Sequence, residues 1–378
     1  MKNTFLILTL CALLISAGFT SCGVRGNSNN LLLFTGSYSA PDSAGIKVFG
    51  FDQTTGEITP VGGVSGVSNP SFIAVDADRR LVYAVGEDSG NASTANVLSY
   101  NEDASVMILE QSVVTGGGAP CHIALSPDKS RLFTANYMGG SVSAFALDSS
   151  GMIADTACVI QFHGIGTDSI RQSQPHLHQI TFMPRTSTLL ANDLGLDKIY
   201  MIDSPYVGQP VGEISVRPGS GPRHTAYHPG GNFAYTLTEI SGEILVFDIS
   251  GGNMKLVQTI AADTLGAQGS ADIHLSPDGQ YLYASNRLQG DGIAIFRVND
   301  FSGTLTKAGY QSTGEHPRNF VISPNGKFVL VACRDTDSIE VYERNGHTGL
   351  LRYRYALHHP APTCLVLAPR CPPLRAER

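Results

Sequence analysis

The chain has 378 residues, a formal net charge of −7 and 15% charged residues, with no extended run of lysine or arginine. This balance argues against a surface that binds nucleic acid or an anionic membrane. The length allows either two ordinary domains or one large all-β domain. With 41 glycines, 20 prolines and 42% apolar residues, the composition favours many short strands, tight turns and a substantial core.

The first 22 residues predict an export signal rather than part of the fold. Lys2 precedes an apolar run from Phe5 to Phe19, which small residues around Cys22 follow. The run is shorter than the roughly 20 apolar residues of a membrane-spanning helix, so we predict cleavage and lipid attachment at Cys22. A retained membrane anchor is the alternative. Residues 23–30, rich in Asn, Gly and Ser, predict a polar tether between lipid and domain.

One pattern recurs along the rest of the chain. A small apolar strand is followed by a turn like Pro-Asp-Gly, a second strand that ends in Ala-Asn or Ser-Asn, and a third strand; Ile123–Asn136 and Ile273–Asn286 are the clearest copies of its first half. The residues that begin these turns are Asp76, Ser126, Met183, His228, Ser276 and Ser323. Their spacing of about 45 to 57 residues is typical of propeller blades, which bury their apolar faces by stacking around an axis.

The two ends of the domain predict how the ring closes. Pro362–Pro369 matches the first strand of a repeat and then stops, whereas Leu31–Ser37 and Ile46–Asp52 match a second and a third strand without a first. We therefore predict that N- and C-terminal strands share one blade, which leaves no open sheet edge. The predicted fold is an all-β, seven-bladed β-propeller with four-stranded blades over residues 31–369, followed by an irregular tail over residues 370–378.

The longest interval between repeats contains an insertion. Phe162–Gln174 contains glycine and histidine, and we predict that it forms a loop over the functional site. The chain has no Trp, and the Trp-Asp signature of WD40 interaction propellers is therefore absent.

The cysteines show neither the spacing of a metal site nor that of a disulfide framework. We predict that those outside the export signal are small core residues. They are Cys121, Cys158, Cys333, Cys364 and Cys371. A reactive thiol is the alternative.

Polar residues stand just before the predicted first strands, whose ends meet at the mouth of the central channel. They are His122, His176, His178, Arg223, His224, Asp272 and Arg318. The ends of second strands add Asn192, Asp193, Glu239, Arg287 and Arg334. Because the repeat geometry brings these side chains together, we predict a pocket lined by imidazole groups, guanidinium groups and one glutamate.

Several of the histidines also have a structural interpretation. A lone histidine such as His122 or His274 is more often a hydrogen-bonded core residue than a functional one, and His228 begins a surface turn. For His176 and His178 the structural and functional interpretations are balanced, because imidazoles separated by one residue point the same way on a strand.

Function is favoured for two other groups. Arg223 and His224 follow a Gly-Ser-Gly-Pro turn, where small residues let a ligand approach while the side chains supply a charge and a proton carrier. Glu239 stands where most repeats have a small or an amide residue.

Six short sequence motifs resemble those of a known family. They are Pro-Cys-His-Ile-Ala-Leu-Ser-Pro-Asp (120–128), Pro-His-Leu-His (175–178), Asn-Asp-Leu-Gly-Leu-Asp (192–197), Gly-Pro-Arg-His (221–224), Ser-Asn-Arg (285–287) and Pro-Arg-Asn-Phe (317–320). In this order, over residues 31–369, they resemble the lactonase propeller family. The named activity of that family is 6-phosphogluconolactonase, and the family also includes fungal muconate cycloisomerases.

The resemblance implies a set of functional positions. They are a histidine at His176 or His178, arginines at Arg223 and Arg287, and a glutamate at Glu239. Two phrases depart from the family pattern: Thr238-Glu239-Ile240 stands in place of the usual Asn-Glu-Leu, and Leu288 stands in place of the glycine that usually follows the arginine.

We predict hydrolysis of a sugar lactone by attack of water, without a metal or a cofactor. The substrate would be 6-phosphogluconolactone or a related lactone that is not phosphorylated, since an exported enzyme does not meet cytoplasmic metabolites. The reaction needs a base, groups that stabilise the oxyanion, and an acid for the leaving alkoxide. Muconate-type cycloisomerisation and a non-enzymatic propeller that binds a ligand or a protein are the alternatives.

Each candidate residue has a predicted role. The base is Glu239, His176 or His178. Arg223 and Arg287 hold the oxyanion or the anionic group of the substrate. His224 supplies the proton for the leaving group, and Arg318 and His122 make further contacts with the substrate.

Overall fold

The computed structural model describes residues 29–203 and 208–370. In these ranges 28 strands form seven four-stranded antiparallel sheets arranged in a ring, together with one 3-10 turn at Gly90–Ala92. The predicted all-β, seven-bladed propeller is therefore confirmed. The predicted signal peptide with Cys22, most of the tether and residues 371–378 of the tail lie outside the described residues. Within those residues, no helix has the length and apolar character needed to cross a bilayer.

The first strand of each blade lies at the central channel, and the others follow outwards. Blade 1 contains β28 (Pro362–Pro369), β1 (Asn30–Ser37), β2 (Ile46–Asp52) and β3 (Ile58–Val64). Blade 2 contains β4 (Ile73–Asp76), β5 (Leu81–Gly86), β6 (Thr94–Tyr100) and β7 (Met107–Val114). Blade 3 contains β8 (Pro120–Leu125), β9 (Arg131–Asn136), β10 (Ser141–Ala146) and β11 (Cys158–Gln161).

The remaining blades repeat this order. Blade 4 contains β12 (Leu177–Phe182), β13 (Thr188–Asp193), β14 (Lys198–Asp203) and β15 (Gly212–Ser215). Blade 5 contains β16 (Pro222–Tyr227), β17 (Phe233–Thr238), β18 (Glu243–Asp248) and β19 (Lys255–Ala261). Blade 6 contains β20 (Ser270–Leu275), β21 (Tyr281–Asn286), β22 (Gly292–Val298) and β23 (Leu305–Ser312), and blade 7 contains β24 (Pro317–Ile322), β25 (Phe328–Cys333), β26 (Ser338–Arg344) and β27 (Leu351–His358).

The ring closes within blade 1, as the sequence predicts. The C-terminal β28 pairs with β1 in an antiparallel ladder that runs from Leu31 opposite Pro369 to Ser37 opposite Pro362. The other three strands of blade 1 are the N-terminal strands β1, β2 and β3. Because the two ends of the domain share one sheet, neither end leaves an unpaired inner strand.

The turn between the first and second strands is built by side chains that the repeat pattern contains. In blade 3 the hydroxyl of Ser126 donates to Asp128 over 2.6 Å, and in blade 6 Ser276 donates to Asp278 over 2.5 Å. Gly279 then has a positive φ of 72°, which glycine adopts at little cost. The Ser-Pro-Asp motif therefore stabilises the turn through hydrogen bonds between residues that are close in sequence.

Apolar side chains fill the space between neighbouring blades. Between blades 5 and 6, for example, Tyr235 and Val246 pack against Leu282 and Phe296, and all four are fully buried. A tyrosine of the second strand also reaches a turn of the next blade. The pairs are Tyr83 to the carbonyl of Gly151 at 2.8 Å, Tyr235 to Gly303 at 2.9 Å and Tyr283 to Gly349 at 2.8 Å. These hydrogen bonds fix the angle between successive blades.

Of the four cysteines in the described residues, three are buried as predicted. Cys121, Cys333 and Cys364 are buried, but Cys158 is exposed. The prediction for Cys158 is wrong because this residue begins β11, the outermost strand of blade 3, where most side chains face solvent. Cys371 lies outside the described residues.

Candidate active site

Irregularities at the start of four inner strands aim side chains toward one end of the channel. The pairing register shifts at the second residue of β8, β12, β16 and β24. The residues at these positions are Cys121, His178, Arg223 and Arg318. A bulged residue leaves the regular alternation of a strand, so its side chain can be directed to a new neighbour.

Residues that directly follow second strands meet the bulged residues. Tyr38 follows β1, Glu87 follows β5, Tyr137 follows β9, Glu239 follows β17 and Arg287 follows β21. These five and three of the bulged residues, Cys121, His178 and Arg318, line a cavity of about 210 Å³. Seven blades thus bring residues from distant parts of the chain to one small polar site.

Glu239 is the centre of a cluster of arginines. Its Oε2 accepts a hydrogen bond from Nε of Arg223 over 2.7 Å and lies 3.4 Å from Nη2 of Arg287. Its Oε1 accepts a hydrogen bond from Nη2 of Arg171 over 2.5 Å. Burial opposes the charge of this carboxylate, but the three guanidinium groups outweigh it and lower the pKa of Glu239 to about 2. The carboxylate is therefore ionised at any physiological pH.

Arg223 lies behind Glu239 rather than in the cavity wall. Its side chain is buried, and its Nη1 donates to the carbonyl of Ala271 over 2.5 Å. Arg287 is held similarly, since its Nε donates to the carbonyl of Gly269 over 2.8 Å. Arg318 differs from both: it lines the cavity and forms no ion pair with a described residue. Its guanidinium group lies 5.3 Å from the ring centroid of Tyr38.

Three of the predicted histidines lie close together in the channel. The ring of His224 lies 5.2 Å from that of His178 and 5.8 Å from that of His122, between centroids. Nδ1 of His122, Nδ1 of His178 and Nε2 of His224 are buried without a hydrogen-bond partner among the described atoms. Burial lowers the pKa of all three imidazoles, and that of His224 to about 4. They are neutral at pH 7.

Asp272 fixes the orientation of His224. Its Oδ1 lies 2.8 Å from Nδ1 of His224, and its Oδ2 lies 2.9 Å from Nε2 of His274. Asn319 donates a further hydrogen bond to Oδ2 over 2.6 Å. With these partners the pKa of Asp272 stays well below its usual range despite burial. The arrangement leaves the other ring nitrogen of His224 turned away from the carboxylate.

The structure distinguishes the two histidines of the Pro-His-Leu-His phrase. His178 lines the cavity. His176 stacks on the ring of Tyr137 at 4.3 Å, and its Nδ1 lies 2.9 Å from the carbonyl oxygen of Tyr137. His176 precedes β12, whereas His178 is its bulged residue, so their side chains have different neighbours.

The insertion Phe162–Gln174 contributes Arg171 to the Glu239 cluster. Oδ1 of Asp168 accepts the backbone N–H of Arg171 over 2.9 Å, and the amide of Gln172 donates to the carbonyl of Leu194 over 2.9 Å. These bonds hold the segment between blades 3 and 4 in one conformation. The predicted loop therefore reaches the candidate site through the guanidinium group of Arg171.

A second carboxylate, Glu87, lines the cavity in different surroundings. The hydroxyl of Tyr38 donates to its two oxygens over 3.0 and 3.1 Å, and the hydroxyl of Ser71 also donates to it. Burial raises the pKa of Glu87, although Arg318 and these hydrogen bonds act in the opposite direction. Glu87 forms no ion pair with a described residue.

Comparison with known proteins decides the family. The sequence model described as lactonase, 7-bladed beta-propeller, matches residues 32–367. The chain belongs to this lactonase family. Among its relatives are a 6-phosphogluconolactonase of Formosa agariphila, 33% identical over 85% of this chain and 94% of that protein, and one of Bacillus subtilis strain 168, 30% identical over 84% and 92%.

Solved structures agree with the lactonase fold. A protein from Bacteroides fragilis is 41% identical, with a TM-score of 0.85 over 90% of this chain and 98% of that chain. The periplasmic gluconolactonase PpgL of Pseudomonas aeruginosa is 29% identical, with a TM-score of 0.81 over 90% and 99%. The resemblance to the lactonase family drawn from the sequence phrases is therefore confirmed.

Sequence reasoning missed five residues of the candidate site. Tyr38, Glu87 and Tyr137 follow second strands, the same repeat position from which Glu239 and Arg287 were predicted, so stricter alignment of the weaker repeats would have found them. Cys121 was assigned to the core, and Arg171 lies in the insertion, which has no counterpart in other repeats. Among the described residues no group of three or more His, Cys, Asp or Glu side chains has the geometry to hold a metal ion.

Proposed function

We propose that the protein hydrolyses a sugar lactone, as a 6-phosphogluconolactonase-like carboxylic ester hydrolase, by attack of water on the lactone carbonyl. The observation that carries this proposal is the cavity in which Arg287, Arg318 and His178 surround a space of about 210 Å³. This is smaller than the roughly 300 Å³ at which drug-sized pockets begin, and it suits a single sugar ring. The names of the relatives from Formosa agariphila and Bacillus subtilis support the same activity.

Arg318 is the group best placed to hold an anion of the substrate. It lines the cavity and forms no ion pair with a described residue, although the charges of Glu87 and Glu239 act on it from a longer distance, whereas Arg223 and Arg287 pair directly with Glu239. A guanidinium group binds phosphate and carboxylate in a bidentate manner. Arg287, which also lines the cavity, would stabilise the oxyanion that forms when water adds to the carbonyl.

Glu239 and Arg223 would act by positioning. A carboxylate with a pKa of about 2 is a poor proton acceptor at neutral pH, so Glu239 serves the reaction by holding the arginines in place. Arg223, behind it, would orient Glu239 rather than touch the substrate. His224 is neutral and its Nδ1 faces the Asp272 carboxylate, so its ring proton lies on Nδ1 and its Nε2 is an acceptor. In this proposal His224 therefore orients groups beside His178 and His122 and does not protonate the leaving alkoxide.

The site of action would be the cell envelope. Support comes from the predicted signal over residues 1–22 with lipid at Cys22, and a structural neighbour is a periplasmic gluconolactonase. In blade 1, Tyr38 directly follows β1 and lines the cavity, while Asn30 begins this strand, about 26 Å away at an extended rise of roughly 3.3 Å per residue. A tether before Asn30 would therefore join the propeller at the end of blade 1 that lies opposite the cavity.

A hydrolysis assay tests the proposal. Purified protein is given D-glucono-1,5-lactone or its 6-phosphate, and the spontaneous rate is subtracted. We expect turnover of at least one, and Arg318→Gln should raise the KM of the phosphorylated lactone at least tenfold while Arg318→Lys raises it less. Absence of turnover with both, or conversion of a muconolactone alone, would overturn the assignment.

A further inference from the structure

The cavity contains two carboxylates that differ in their partners. Glu239 is neutralised by three guanidinium groups at 2.5 to 3.4 Å. Glu87 has two hydroxyl donors, Tyr38 and Ser71, and no ion pair with a described residue. An enzyme that uses two carboxylates for different tasks separates them in this way, one held as a fixed charge and one free to exchange a proton.

We propose that Glu87 is the proton carrier of the reaction, a catalytic role that rests on the proposed lactone hydrolysis. The Glu87 carboxylate takes a proton from the water that attacks the carbonyl carbon. A C–O bond to the water oxygen forms, and the carbonyl oxygen becomes the oxyanion facing Arg287. When the tetrahedral intermediate collapses, the bond to the ring oxygen breaks and Glu87 returns the proton to that oxygen. The carboxyl group ends as it began, and the new acid ionises into solvent.

The surroundings of Glu87 suit this task. Burial raises its pKa, and the groups that face it lower the pKa less: Arg318 across the cavity, Arg223 behind Glu239, and the donors Tyr38 and Ser71. A carboxylate with a raised pKa accepts a proton better than Glu239 does. The bonds from Tyr38 to both oxygens fix the orientation of the carboxylate.

Other cavity groups are less suited to carry the proton. Burial, together with the charges of the nearby Arg223, Arg318 and Arg287, holds the pKa of His178 well below its usual range. Burial raises the pKa of the Cys121 thiol, so this group keeps its proton at neutral pH. Tyr137 likewise has a raised pKa through burial and the nearby Glu239.

The direct test is Glu87→Gln, which keeps the size of the side chain and removes the proton acceptor. We expect kcat to fall by about 10² to 10⁴-fold with KM changed less than fivefold, and gluconate to bind with unchanged affinity. The matched control is Glu110→Gln on β7, the outer strand of the same blade, where the exposed Glu110 carboxylate accepts a hydrogen bond from the hydroxyl of Ser99. Its kcat should equal that of the wild type.

If Glu87→Gln does not fold, the pH dependence of kcat/KM of the wild type and of Tyr38→Phe provides a second test. A base must be ionised, so kcat/KM should fall on the acid side through the pKa of Glu87. Tyr38→Phe removes a donor that stabilises the carboxylate and should move this limb to higher pH. An unmoved limb, or kcat within threefold of wild type in folded Glu87→Gln, overturns the role of Glu87 while wild-type turnover still supports lactone hydrolysis. No turnover by the wild type would instead overturn the proposed function.

Discussion

Nε of Arg223 donates a hydrogen bond to Oε2 of Glu239 over 2.7 Å, and both side chains are buried. The pair joins two neighbouring positions of blade 5, the bulge of β16 and the residue after β17. Glu239 also pairs with Arg171 and Arg287, whereas Arg223 forms no second ion pair with a described residue. The consequences of removing each partner therefore differ.

Glu239→Ala should lower the free energy of unfolding by about 3–5 kcal/mol, since it leaves Arg223 and Arg287 buried without a counter-charge. Arg223→Ala should cost less, because the carboxylate keeps Arg171 and Arg287. Chemical denaturation measures both. Glu243→Ala, which breaks a surface pair with the largely exposed Arg217, is the control and should cost less than about 1 kcal/mol; equal losses for Glu239→Ala and Glu243→Ala would contradict the burial argument.

Arg171→Ala should reduce kcat/KM for the lactone about five- to tenfold, with little change in Tm. The variant removes one of three positive charges on Glu239 and releases the insertion from the cavity rim, but Arg171 is partly exposed, so the folding cost is small. Its neighbour Ile170 is 84% exposed, and Ile170→Ala should behave as wild type. Steady-state kinetics and thermal melts check this, and an Arg171→Ala enzyme of normal activity would show that the loop contact is only structural.

Stability should decline as pH falls from about 6.5 to about 4. Burial lowers the pKa of His224 and His359 to about 4 from an ordinary value of 6.5, so in this window the unfolded chain binds more protons than the folded one. The unfolding free energy then rises with pH and is lost on acidification. Each such histidine lowers the free energy of unfolding by on the order of 3 kcal/mol when the pH falls through this window.

His359 lies away from the cavity, so it allows the effect of a buried histidine on the pH dependence of stability to be tested without changing the candidate site. It is fully buried and its Nε2 lies 2.7 Å from the hydroxyl of Thr35. His359→Gln removes one titrating group, so the Tm of the variant should fall less between pH 6.5 and 4 than that of the wild type. Parallel Tm curves would show that His359 does not titrate differently on unfolding.

Cys158 should react with a maleimide much faster than Cys121, Cys333 or Cys364. It is exposed on β11, whereas the other three are buried and burial raises their pKa values. Peptide mass mapping after a short exposure identifies the labelled residue, and lactone hydrolysis should be unaffected. Rapid labelling of Cys121 with loss of activity would instead indicate that the cavity thiol is accessible and reactive.

The sequence alone determined the architecture. Blade number, ring closure and the position of the insertion follow from short-range signals, namely strand patterns and Ser-Pro-Asp turns that act within a few residues. The same repeat register predicted that Glu239, Arg287, His178 and Arg318 would come from equivalent ends of different blades, and all four line the cavity.

Only the tertiary structure decided which side chains face the cavity and which support it. Bulges at Cys121, His178, Arg223 and Arg318 depend on how each inner strand pairs with its neighbour, which a single sequence does not reveal. Whether a carboxylate is a fixed charge or a proton carrier depends on partners that are distant in the chain. Arg171 reaches Glu239 across 68 positions of sequence, and burial and Coulomb interactions at that distance are properties of the folded ring.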